Sequence, residues 1–199
     1  MSINPSLSPE EAACLQNADF LRTKRLVVEK NIALLYTLQE PLHTWASQLP
    51  SYLQPYLSQS LTGKVSQGEN YQELPYQIFD YPRLFTSDAT LALRTMIWWG
   101  QYYSVTLHLG GAVWEAARPS LAQKLEPTTP GYVGIGDDPF AHHFGPENYL
   151  ALADTHPQQL ESLLERDFVK LGMYWPLEER ELLVERVRET AQAWGTLLG

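Results

Sequence analysis

The segment Gly131–Asn148, GYVGIGDDPFAHHFGPEN, gathers Asp137, Asp138, His142, His143 and Glu147 into eighteen residues. Carboxylate oxygens and neutral imidazole nitrogens can together hold Zn²⁺, Fe²⁺ or Mn²⁺ and leave a coordination position open for water. A bound metal would then make hydroxide available near neutral pH, which points to a metal-assisted hydrolase or oxygenase built on Asp138, His142, His143 and Glu147. The spacing works against this reading. Adjacent histidines diverge in any regular structure, and Gly145-Pro146 interrupts a helix that would align His143 with Glu147. The segment reads more readily as a surface loop whose Asp and Pro residues make turns and whose histidines bond locally. Its glycines match neither GxGxxG nor GxxxxGK[ST], so a phosphate-cradling loop is not indicated.

A second group lies in Leu91–Trp114, LALRTMIWWGQYYSVTLHLGGAVW. Read as a hairpin, it places Trp99, Tyr102 and His108 on one face with Ser104 and Thr106. An imidazole beside a hydroxyl is the pairing that nucleophilic catalysis needs, but no GxSxG elbow surrounds any serine. Trp99, Tyr102 and His108 are instead the candidate lining of an aromatic ligand-binding groove. Asp80-Tyr81-Pro82-Arg83 reads as an extended turn with a structural ion pair, and Cys14 as a small filler rather than a nucleophile.

Composition narrows the field. The 199 residues carry 14 basic and 23 acidic side chains, a net charge of −9, which disfavours a nucleic-acid partner. One cysteine excludes an intrachain disulfide. MSINPSLSPEEAA lacks a basic segment followed by an apolar run, so no secretory signal is expected and the cytoplasm is the default compartment. Arg94, Gln101 and His108 interrupt the apolar block, so no membrane partner is expected.

The positioning elements follow from pattern. Ser8-Pro9-Glu10-Glu11 is a helix start, and Leu21, Val28, Ile32 and Leu35 recur at helical spacing towards Pro41, with a further piece over 41–49. Thr62–Glu73 reads as a mobile polar loop. Strands are expected at 76–80, 93–99 and 102–109, joined by a type II′ turn at Gly100-Gln101 that sets Trp99 against Tyr102. A continuous helix over 90–109, opened by Thr86-Ser87-Asp88, is the competing pattern. Ala112–Leu125 reads as a helix disturbed by Pro119, Thr155-His156-Pro157-Gln158 as a capping box opening a helix towards Leu171, and the last helix starts near Pro176.

The expectation is one α+β domain over residues 1–199, with long N- and C-terminal helices around a small central antiparallel sheet. Leu35, Met96, Trp98, Val105, Leu107, Leu183 and Val187 should be buried. The leading functional expectation is a non-catalytic protein that recognises a small molecule or a protein partner through the aromatic groove, with the metal-assisted enzyme as alternative. Self-association would run through the same aromatics or the Trp194 end of the last helix. No cofactor is named by any motif.

Overall fold

A computed structural model describes residues 4–60 and 62–199. The first three residues of the N-terminal segment lie outside the described residues. The chain begins with four helices: α1 (Pro9–Gln16), α2 (Ala18–Tyr36), α3 (Gln39–Ser47) and the single turn α4 (Gln54–Leu57). Strands β1 (Lys64–Tyr71), β2 (Leu74–Phe85), β3 (Ala89–Trp98) and β4 (Tyr102–Gly110) follow, then α5 (Gly111–Lys124). Short strands β5 (Tyr132–Gly134) and β6 (Tyr149–Ala151) precede α6 (Pro157–Leu164), β7 (Phe168–Pro176), a 3-10 turn (Leu177–Leu182) and α7 (Leu183–Leu198).

The strands form one antiparallel sheet of seven, in the order β1-β2-β3-β4-β7-β5-β6. The architecture is therefore α+β, but the sheet is large rather than small and central. Two segments account for the difference. Residues 64–71, expected as loop, are an edge strand; its polar side chains face water on both sides, so no apolar alternation betrays it. Residues 168–176, expected as the end of a helix, are a central strand with strict period-two patterning. Val169, Leu171, Met173 and Trp175 pack into the main core, while Phe168, Lys170, Gly172 and Tyr174 point the other way. The helix that was to reach Leu171 stops at Leu164, and its N-cap is His156 rather than Thr155.

The hairpin exists, but its register differs by one residue. Trp98 pairs with Tyr102 and Ile97 with Tyr103, leaving Trp99-Gly100-Gln101 as a three-residue connection with Gly100 at φ +71°. A one-residue slip exchanges the faces of one strand against the other. Leu91, Leu93, Ile97, Tyr103, Val105, Leu107 and Leu109 therefore share the helix-covered face. Arg94, Met96 and Trp98 share the opposite face with Tyr102, Ser104, Thr106 and His108.

The capping box at Ser8 forms as the sequence predicts: Ser8 Oγ accepts from Glu11 N–H at 3.2 Å and Glu11 accepts from Ser8 N–H. That helix nevertheless ends at Gln16, and Asn17 caps α2 by accepting from Phe20 N–H at 2.9 Å. The C-terminal half of α2 packs with α3, α5 and α7 over one sheet face, where Leu35, Val105, Leu107, Leu183 and Val187 are completely buried. Met96 and Trp98 are also buried, but in a separate cluster with Ile78 on the other face. Trp114 and Trp194 are the largest buried side chains of the helical layer; Trp114 Nε1 donates to Arg166 O at 2.7 Å, satisfying the indole.

Candidate functional site

The face opposite the helices carries charged side chains on inner strand positions. Antiparallel register aligns Asp80, Arg94, Thr106 and Gly172 across β2, β3, β4 and β7. One pair further along it aligns Arg83, Ala92, His108 and Lys170. A bulge between Asp80 and Arg83 keeps both on this face. Arg94 clasps Asp80 through two hydrogen bonds, Nε–Oδ1 at 2.7 Å and Nη2–Oδ2 at 2.9 Å. The expected pairing of Asp80 with its near neighbour Arg83 is thus replaced by a cross-strand pair, because the sheet brings Arg94 closer than the chain brings Arg83.

Residues 135–148, between β5 and β6, lie across this surface as a strap. Lys170 Nζ donates to the Ala141 carbonyl at 2.8 Å, the Asp138 carbonyl at 3.1 Å and Asn148 Oδ1 at 3.4 Å. Its ammonium also sits 5.0 Å from the Tyr149 ring centre. Arg166 holds the start of the strap through the Ile135 and Gly136 carbonyls at 3.0 and 2.8 Å and Asp137 at 3.0 Å. Tyr102 Oη accepts from Phe144 N–H at 2.8 Å. Phe144 stacks on Tyr149 at 4.3 Å, in space that exists because Gly172 has no side chain: a Cβ there would come within 2.7 Å of the ring.

Tyr71 explains how two adjacent histidines are held. Its hydroxyl accepts from the backbone N–H of His142 at 2.7 Å and of His143 at 3.1 Å, and lies 3.0 Å from His143 Nδ1. His143 Nε2 then meets Glu147 Oε1 at 2.6 Å. The chain hydroxyl–imidazole–carboxylate has the order of a nucleophilic triad. However, the two backbone donors occupy the oxygen's acceptor sites, and its O–H, kept protonated by burial, donates to His143 Nδ1, so the tyrosine acts as a clamp.

Burial controls the electrostatics. His142 is buried with its Nε2 against Arg94 Nη1, and its Nδ1 has no partner among the described residues. Desolvation, reinforced by the charges of Arg94 and Lys170, holds its pKa well below the ordinary value, so the ring is neutral and accepts from Arg94. His108, edge-on between Phe140 and Phe168, is pushed down to about 4 by desolvation and then by Lys170 and Arg94. Desolvation lowers Lys170 to about 8, against the opposing pull of Asp138, and raises Tyr102 to about 12.

The proposed metal ligands are distributed over separate tasks. His143 and Glu147 meet each other, His142 turns inward to Arg94, and Asp138 Oδ1 accepts from Phe140 N–H at 2.8 Å. Among the described residues no three His, Cys, Asp or Glu side chains converge in a geometry suited to a metal. The proposed groove is likewise divided by the sheet. Tyr102 and His108 face the strap, whereas Trp99 Nε1 donates to Gln77 Oε1 at 2.7 Å, on the side where Asn31 of α2 also reaches that oxygen.

A cleft of about 280 Å³ lies beside the strap. Asp80 and Arg94 form its floor, Lys64, Ser66 and Arg83 its polar wall, and Phe85 and Phe140 its apolar rim. The Arg94 guanidinium lies 5.6 Å from the centre of the Phe85 ring. Among the described residues, the side chains of Lys64 and Arg83 make no hydrogen bond or ion pair. Arg94, Lys170, Arg166 and Tyr71 were not singled out by the sequence. The available signal was a charge at an inner position of a period-two run, as at Arg94 and Lys170. Compared with protein-family models, characterised proteins and solved structures, the chain matches none. Among the described residues no helix is long and apolar enough to cross a membrane.

Proposed function

We propose that this protein binds a small organic anion, a carboxylate or phosphate with an apolar body, in the cleft floored by Arg94, without transforming it. The observation that carries this reading is the concentration of uncommitted cationic donors there in a chain of net charge −9. Arg94 has five N–H donors and commits two to Asp80 and one to His142, which leaves two for a ligand. Lys64 and Arg83 add charge from the wall. Asp80 and the neutral His142 pre-set the guanidinium, so little side-chain freedom remains to be lost on binding. Exposed Phe140 and half-buried Phe85 offer apolar contact beyond the charged end.

Binding rather than turnover follows from the contents of the cleft. Ser66 is its hydroxyl, and among the described residues no base lies within hydrogen-bond distance of it; the imidazole of His142 is buried and directed at Arg94, and that of His143 is held between Tyr71 and Glu147. Titration calorimetry with inorganic phosphate and with benzoate tests the reading and separates the two anion classes. Saturable binding of one of them that weakens about tenfold in Lys64→Gln/Arg83→Gln is expected, with a further decline as salt is raised. Absence of binding by both probes, or affinity unchanged in the double variant, would overturn it.

A further inference from the structure

The apolar stripe of α2 outruns the surface that covers it. Val28 and Ile32 are partly buried, and Leu35 is completely buried. The same helix face continues through Leu21, which is 48% exposed, with Phe20 at 48% and Val27 at 36% beside it. Leu15 of α1 is 67% exposed, and α1 buries none of its residues. A helical arm over 9–27, interrupted at Asn17 and anchored to β1 through Lys24, therefore carries an apolar strip that no described residue covers.

Its charges are segregated along its length. Residues 8–19 hold Glu10, Glu11 and Asp19 and no basic side chain; residues 20–30 hold Arg22, Lys24, Arg25 and Lys30 against the single acid Glu29. We infer that a second copy of this chain covers the strip, with the two arms antiparallel about a twofold axis near Leu21. In that arrangement Leu21 and Phe20 meet their own copies. The acidic half of each arm then lies against the basic half of its partner. A twofold interface requires a surface complementary to itself, and an arm with one acidic and one basic half is such a surface. A parallel pairing would instead oppose like charges. The ion pairs Asp19–Arg22 at 3.1 Å and Arg25–Glu29 at 3.0 Å are solvent-exposed and within one helix, so these groups can exchange partners at little cost. Lys24 is held by Glu69 of β1 and stays with the body.

Sedimentation equilibrium across a concentration series reads the assembly state. The parent chain should reach the mass of two copies, and Phe20→Glu/Leu21→Glu should remain monomeric with an unchanged circular-dichroism spectrum. Two charge variants make the decisive arm. Glu10→Lys/Asp19→Lys and Arg22→Glu/Arg25→Glu/Lys30→Glu should each be monomeric alone, because each opposes like charges, and should form a mixed dimer when combined. A parent chain that stays monomeric throughout, a dimer that survives Phe20→Glu/Leu21→Glu, or charge variants that fail to combine would overturn the inference. Because Lys64 and Arg83 lie off the arm, anion binding by the monomeric variant is expected to persist, which separates this outcome from failure of the cleft reading.

Discussion

His108 and His142 sit neutral among cations, and this makes stability depend on pH. In the unfolded chain an imidazole takes up a proton near pH 6.5, whereas in the folded chain His108 does so only at about 4. Between those values the unfolded state binds more protons, so stability is held above about pH 6.5 and lost as pH falls towards 4. The loss should be about 1.4 kcal/mol per pH unit for His108 alone, with His142 adding in the same direction. Urea unfolding at pH 7 and pH 5 measures it. His108→Phe, which preserves edge-on contact with Phe140 and Phe168, should flatten the profile by one group's share. At the Arg94 floor, Arg94→Lys keeps the charge but cannot clasp Asp80 through two nitrogens. It should weaken anion binding by at least tenfold while the parent cation count is conserved, as read by calorimetry.

The strap over 135–148 has no regular secondary structure of its own and depends on Phe144 packing and on donors from the strands beneath it. Lys170 supplies three of its hydrogen bonds, so Lys170→Met should lower the local opening free energy of the strap by about 2 kcal/mol. Hydrogen exchange in 135–148 should accelerate roughly thirtyfold while amides of β3 and β4 keep their protection. The elements that support the strap differ in how visible they are in the amino-acid sequence. The hairpin over 93–109 is legible because both its faces are buried and its residues are β-branched or aromatic. Its register is not, since Trp99-Gly100-Gln101 accommodates a two- or a three-residue connection and only the packing of Ile97 against Tyr103, rather than Trp98, decides. β7 carried its period-two pattern openly, but a glycine at 172 and a capping pattern at 155–158 suggested a helix running through it. The strap itself announced its histidines and carboxylates. What it could not announce was that Tyr71, Arg94 and Lys170, drawn from three strands, would take those groups as hydrogen-bond partners and spend them on structure.

For the whole molecule, the helical layer and the sheet share one large core, and the polar face is built on top of it. Trp194→Ala, which opens a cavity between α7 and its neighbours, should cost about 3–5 kcal/mol in urea unfolding. Phe20→Ala on the projecting arm should change monomer stability by no more than about 0.5 kcal/mol. The connectivity of the polar face also has a temporal consequence. β1 to β4 are successive hairpins, so their pairings close short stretches of chain; Tyr71 must wait for His142, Arg94 for the same residue, and Lys170 closes on Asp138 only after β7 has docked beside β4. Long-range closures come late because their chain entropy is lost before their contacts are gained. During synthesis the meander can therefore assemble while the cleft over Arg94 still lacks the part of its rim that Phe140 supplies. The same ordering run backwards makes 135–148 the first stretch of the sheet layer to yield to a protease, and the proposed anion, lodged on Arg94, would slow that cut before it changed the stability of anything else.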